Sequence, residues 1–248
     1  MRRLFKLIRH LPNLLQGYNI YVNKEKFALI DEAFGKILAN SESFADLGGV
    51  WKVNAAYTRY VLKKYAIKRA YLIDTNYTAR VMKKIAGYKN LDTIEGDFTS
   101  DEVIKKIAGV DVIFLFDVLL HQVNPDWDQV LEKYARITKS FIIYNQQLID
   151  VKKSMRLTNL PLEKYTQLVP ARRDTFYETI YAKDQQIHPQ YKKPWKDIHN
   201  IWQWGITDDD LREKMTALGY EQVYYKNYGR FADLKTFEDH AFVFVRHR

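Results

Sequence analysis

The sequence predicts an α/β chain with a doubly wound, mostly parallel sheet. Three observations carry that expectation. Short apolar runs of strand character alternate with helix-like runs between residues 43 and 147, four of those runs carry an aspartate at or near their end, and the chain closes on a helix followed by two strand-like runs. Strands that alternate with helices pair in parallel through crossover connections. In such sheets ligands sit beyond the carboxyl ends of the strands, where the strand order reverses.

Length and composition set the frame. A chain of 248 residues, 47% apolar and 28% charged, has globular proportions and can bury a sizeable core. It has no cysteine, which removes disulfides, thiolate metal sites and cysteine nucleophiles, and fits a reducing compartment. The net charge of +9 invites a polyanionic partner, but the lysines and arginines read as spread along predicted helices rather than gathered in one block. Spread charge is expected to be a solvated surface. No apolar run approaches the roughly 20 residues of a membrane span, and residues 1–16 lack the continuous apolar core of a signal peptide. The expected location is the cytoplasm.

In the first segment Leu4, Phe5, Ile8, Leu11 and Leu15 fall at helical spacing opposite Arg2, Lys6 and Arg9. Such a basic amphipathic helix packs on a domain or partner, or lies on an anionic membrane. Residues 24–39 give a second helix with Phe27, Ile30, Phe34 and Leu38 on one face, so residues 1–40 read as a helical cap on a main domain of residues 41–248. Phe44 and Ala45 then lead into Asp46, the Gly48–Gly49 pair and a helix over 53–65. That is a strand, a turn and a helix start, where unpaired N–H groups can hold the polar end of a nucleotide-like ligand.

The alternation continues with strands at 70–74, 91–97, 111–118 and 141–147, and with helices at 80–87, 101–107 and 127–138. The 111–118 run is apolar on both sides of Asp117, as a strand covered on both faces should be. Asp46, Asp74, Asp97 and Asp117 should therefore share one edge of the sheet. Each alone would be an ordinary turn or capping residue; four in register ask for a ligand with hydroxyls and amines. Residues 148–203 are an insertion of helical or irregular character, placed to form a lid or substrate wall, and rich in aromatics. Its Arg172, Arg173, Tyr177 and Trp202 are the candidate substrate contacts, adjacent arginines suiting a phosphate or carboxylate and rings suiting a sugar. His188 and His199 lack acids at metal-ligand spacing, so no metal site is expected. A helix at 211–218 and strands at 221–227 and 240–246 close the chain as an antiparallel hairpin.

These residues resemble the class I S-adenosylmethionine-dependent methyltransferases, chiefly over residues 40–147. The resemblance implies a Rossmann-like seven-stranded methyltransferase fold, S-adenosylmethionine as cofactor and a small-molecule acceptor, such as a hydroxyl of a sugar or related metabolite. Asp46, Gly48 and Gly49 look like the glycine-rich motif around the methionine part, with Trp51 as a wall of the pocket. Asp74 looks like the ribose acid, Asp97 and Phe98 like the adenine contacts, and Asp117 like the motif where the reacting groups meet. His121, just past that strand, is the candidate base for a hydroxyl nucleophile, with Asp117 a second catalytic candidate. The motif departs from the family's pattern at Val50-Trp51-Lys52, where further glycines would fall. That departure motivates a non-catalytic binding or scaffolding subunit as one alternative. RNA methylation, motivated by the basic balance and the aromatic insertion, is the other, although 116–125 lacks an Asn-Pro-Pro-Tyr type sequence.

Overall fold

Strand β1 (Ser43–Leu47) is the pivot of the molecule, paired in parallel with β2 (Arg69–Asp74) on one side and β4 (Val110–Phe116) on the other. The computed structural model describes residues 22–170, 174–232 and 234–247. Beyond β2 lies β3 (Leu91–Glu95), and beyond β4 lie β5 (Thr138–Leu148), β9 (Phe237–Arg246) and β8 (Tyr220–Arg230). The sheet order is β3-β2-β1-β4-β5-β9-β8, with β9 antiparallel to both β5 and β8. The order reverses between β1 and β4, which fixes the ligand edge beside the end of β1. The doubly wound, mostly parallel sheet with a C-terminal hairpin is the architecture the alternation predicts.

Two apolar layers flank the sheet. On one face α1 (Lys24–Glu32), continued by a π-helical turn at Ala33–Ile37, packs with α2 (Ala56–Lys64). Leu29, Ile30, Phe34, Tyr57 and Val61 meet Phe44, Val112 and Phe114 there. Beside them α3 (Ala79–Ile85) sets Val81 and Ile85 against Leu72 and Val50. On the other face α4 (Asp101–Lys106), α5 (Trp127–Ala135) and α8 (Asp208–Ala217) cover Ala45, Ile113, Leu115, Phe141 and Phe242. Each such side chain is worth about 1.5–3 kcal/mol when fully buried, which is why runs apolar on both faces become the central strands. Helix ends follow local chemistry: Asn23, Thr78, Ser100 and Thr207 each accept a backbone N–H at an N-cap.

The insertion after β5 has its own core. It holds a two-stranded ribbon, β6 (Met155–Arg156) with β7 (Trp204–Gly205), and helices α6 (Leu162–Leu168) and α7 (Asp174–Ala182). Leu157, Tyr165, Tyr177, Ile180, Ile201 and Trp202 pack together with Phe237 of β9 and Leu148 of β5. Two boundaries differ from expectation. The helix after β1 begins at Ala56 rather than near residue 53, because Lys52, Asn54 and Ala55 take positive φ in a tight turn. β5 runs to eleven residues, since β4 pairs with its first part, Thr138–Tyr144, and β9 carries the pairing on to Leu148. Residues 1–16, read above as an amphipathic helix, lie outside the described residues. Among the described residues, no helix is long and apolar enough to cross a membrane.

Candidate active site

A cavity of about 710 Å³ opens at the carboxyl ends of β1, β2 and β4, between the sheet and the insertion. Asp46, Leu47, Gly48, Gly49, Trp51, Asp74, Asp97, Phe98, Asp117 and His121 all line it. The topology thus brings together every candidate residue named above between positions 46 and 121. Arg172 and Arg173 lie outside the described residues. Tyr177 and Trp202 are 2% exposed and sit inside the insertion's own core. Tyr177 packs edge-on against Tyr165, and Trp202 against Phe237. Their rings build the lid rather than line the cavity, because an insertion this size needs a core before it can offer a wall.

The turn after β1 is built from below. Gly48 takes φ of 76°, and a Cβ there would run into Val118. A Cβ on Gly49 would meet the Asp46 carboxylate. Only glycine lets the backbone pass this close. Asp46 is 1% exposed and accepts the Thr58 hydroxyl at 2.5 Å. Burial, and secondarily the neighbouring Asp74, push its carboxyl up to about 6 against the pull of Thr58. Asp74 binds the same turn from the side: Oδ2 accepts the N–H groups of Val50 at 2.9 Å and Trp51 at 3.1 Å, and Oδ1 accepts that of Thr75 at 2.7 Å. The unusual Val50-Trp51-Lys52 sequence is therefore held by a carboxylate instead of by glycines.

Asp97 accepts the Thr99 N–H at 2.9 Å and its hydroxyl at 2.7 Å. Burial works to raise this carboxyl, but the Thr99 bonds and the positive Lys193 outweigh it and hold it below the usual value. Phe98 lies next to it, its carbonyl accepting the Tyr134 hydroxyl at 2.6 Å. Asp117 sits just past β4 with φ of 56°. It is ion-paired with Lys26 of α1, and its other oxygen accepts Gln146 Nε2 at 2.8 Å. The same Nε2 reaches Asp239 at 2.8 Å. Burial, then the charge of Asp117, raise Asp239 to about 7.

His121 is 8% exposed, and its Nδ1 lies 2.7 Å from the Ile201 carbonyl oxygen. A carbonyl only accepts, so Nδ1 carries the proton and Nε2 the lone pair of the neutral ring. Across the mouth, Lys193 donates to His199 Nε2 at 2.8 Å and lies 3.9 Å from Asp97. Burial, then the Lys193 charge, lower His199 to about 4.

Lys26 carries no motif, and the sequence reading missed it. Its signal was position: Lys26, Leu29, Ile30 and Ala33 share the spacing of the buried stripe, and a lysine on such a stripe needs an acid. Gln190, Tyr191, Lys193, His199 and Asn200 of the insertion also line the cavity, where no periodic pattern pointed to them.

No protein-family model matches the chain, and no curated protein matches it by sequence. Solved structures do match in shape. The N-terminal domain of EvdMO1, crystallised in the presence of SAH and D-fucose, superposes with a TM-score of 0.55 at 12% identity over 90% of this chain and 82% of its own. An O-methyltransferase family protein from Burkholderia thailandensis gives 0.53 at 12% identity over 89% of this chain and 55% of its own. A putative RNA methyltransferase, PH1948 from Pyrococcus horikoshii, gives 0.50 at 10% identity over 89% and 82%. The chain has the class I methyltransferase fold. At these identities the likeness is one of fold, and within this methyltransferase fold the cavity occupies the sheet edge where the strand order reverses.

Proposed function

We propose that the chain is an S-adenosylmethionine-dependent methyltransferase acting on a hydroxyl of a small polyhydroxylated molecule. The observation that carries this is the convergence of Asp46, Asp74, Asp97, Phe98 and the Gly48–Gly49 turn on one cavity. The residues fit the cofactor. Gly48 and Gly49, where a Cβ would collide with Val118 or the Asp46 carboxylate, give the turn on the cavity wall its shape, Asp74 beside Asn76 suits ribose hydroxyls, and Asp97 with Phe98 suits an amino-bearing aromatic ring. When bound, S-adenosylmethionine supplies a methyl group on a positively charged sulfur.

The chain's own residues would position the acceptor and move its proton. His121 presents the Nε2 lone pair because Ile201 holds the proton on Nδ1, so it takes the hydroxyl proton as the oxygen becomes a nucleophile. Gln122, also on the cavity wall, has a buried Oε1 with no hydrogen-bond partner among the described residues. The likeness to EvdMO1, whose structure was determined with D-fucose, adds support for a sugar.

A second reading, a binding subunit that keeps the fold without the chemistry, draws on Asp74. Its carboxylate already accepts three backbone N–H groups. Calorimetric titration with S-adenosylmethionine and S-adenosylhomocysteine, with NAD as control, separates the two. Binding of the first two near micromolar, about −8 kcal/mol, supports the enzyme and justifies a screen of glycosides. Absence of binding overturns it and favours the subunit.

A further inference from the structure

The positive charge, expected to be spread, is concentrated on one face. Residues 47–91 contain ten lysines and arginines and a single acid, Asp74, which is buried. That one stretch accounts for a net charge equal to the +9 of the whole chain. Its cations stand on neighbouring helices: Arg59 and Lys63 on α2, and Arg80, Lys83 and Lys84 on α3. None of these five makes an ion pair among the described residues, where Lys64 beside them is paired with Asp31. Desolvation first, then the charges of Arg80 and Arg59, hold Lys84 below the usual lysine value, so these groups crowd each other without an acid to relieve them.

Apolar side chains protrude from the same face. Met82 stands 44% exposed between Arg80 and Lys83, and Trp51 is 45% exposed in the turn that packs on α3 through Val50. Lys52 lies 4.9 Å over the Trp51 ring. Both helices follow directly from the carboxyl ends of β1 and β2, so Arg59 and Arg80, in their first turns, lie toward the cavity mouth.

We propose that the α2–α3 face is a docking surface for an anionic phospholipid bilayer. Unpaired cations supply attraction to anionic headgroups, and an exposed indole flanked by lysine is suited to the headgroup boundary. Met82 distinguishes this surface from a single-strand nucleic-acid platform. That platform needs successive stacking rings, whereas Trp51 is the one aromatic residue more than a third exposed on this face among the described residues. The proposal does not rest on the methyltransferase reading, because docking needs neither cofactor nor acceptor.

The test is flotation of the full chain with vesicles of phosphatidylcholine alone and with about a third phosphatidylglycerol. Binding to the anionic vesicles only, weakening with salt, is expected. Each cation near a surface is worth about five-fold, so Arg80→Glu with Lys83→Glu and Lys84→Glu should cut partitioning by about 100-fold or more. Met82→Ser should cut it several-fold, while Lys105→Glu on α4 should leave it within about two-fold of the parent. All these positions are exposed, and circular dichroism checks the folding of each variant. No flotation, equal loss in Lys105→Glu, or binding that survives the triple substitution overturns the proposal. So does tighter binding of single-stranded RNA than of anionic vesicles at the same salt.

Discussion

Asp74 ties the cofactor side of the cavity to the stability of the empty protein, and replacing it separates the two. In Asp74→Ala the buried Val50 N–H and the half-buried Trp51 N–H both lose their acceptor, as does Thr75. A hydrogen bond to a charged group contributes about 1.5–3 kcal/mol. The Thr75 N–H, next to an exposed position, can turn to water and counts for less. The expected loss is about 3–5 kcal/mol, read as a lower urea midpoint with unchanged slope. In Asp74→Asn the remaining oxygen can still accept from Val50 and Trp51, but the amide turns a donor toward the Thr75 N–H. That should cost about 1–2 kcal/mol. If both variants unfold within about 0.5 kcal/mol of the parent, the turn is held by other contacts and the reasoning fails. On the proposed function, calorimetry on whichever variant stays folded should show S-adenosylhomocysteine binding weakened by about 10- to 150-fold, the equivalent of 1.5–3 kcal/mol. A variant that loses stability but keeps affinity would make Asp74 a brace for the turn and nothing more.

Lys26→Met leaves Asp117 buried with one neutral partner and should cost about 3–5 kcal/mol, whereas adding Asp117→Asn should return most of that loss; urea denaturation of the four members of the cycle decides it. His121→Ala should lower turnover by about 100-fold or more while leaving cofactor affinity within about two-fold, and equal turnover would remove it as the base. Stability should respond to pH through two opposed groups. Asp46 has a folded value near 6, above its ordinary 3.8, so the folded state binds the extra proton, and stability declines as pH rises from about 4 to 6, by roughly 3 kcal/mol. His199 is lowered to about 4, so the unfolded state binds the proton between about 4 and 6.5, and stability rises with pH there. Asp46→Asn should therefore uncover a rise toward neutrality and His199→Gln a fall, and parallel pH profiles for all three proteins would refute both assignments.

The sheet was legible because its signal is local and repeated. Runs such as 111–118, apolar on both sides of one aspartate, admit few structures, and aspartates at four strand ends fall on one edge whatever the loop details. The lid was not legible at the level of side chains. Tyr177 and Trp202 differ from Tyr191 and His199 only in which way each faces, and irregular backbone has no period from which to read that. The charge is a different case. The excess of cations over acids in residues 47–91 can be counted in the sequence, whereas the closeness of Arg59 and Lys84 on neighbouring helices follows only from the crossover geometry.

Four acids line one cavity, and each of them is already engaged. Asp46 lies beneath the turn and is bound by Thr58, Asp74 holds Val50 and Trp51, Asp97 is satisfied by Thr99, and Asp117 is ion-paired with Lys26. Asp97 is held below the usual carboxylate value by its Thr99 bonds, and Asp46, although burial raises it, is 1% exposed beneath the turn and out of an acceptor's reach. Lys193 keeps His199 Nε2 occupied at 2.8 Å. At His121 the Ile201 carbonyl takes the Nδ1 proton's bond and so fixes the lone pair on the other nitrogen. On the proposed function, the acids shape and polarise the site while the proton goes to the imidazole whose tautomer Ile201 of the lid sets. Acceptor chemistry is then coupled to lid position, since a displaced Ile201 would release the tautomer and with it the base.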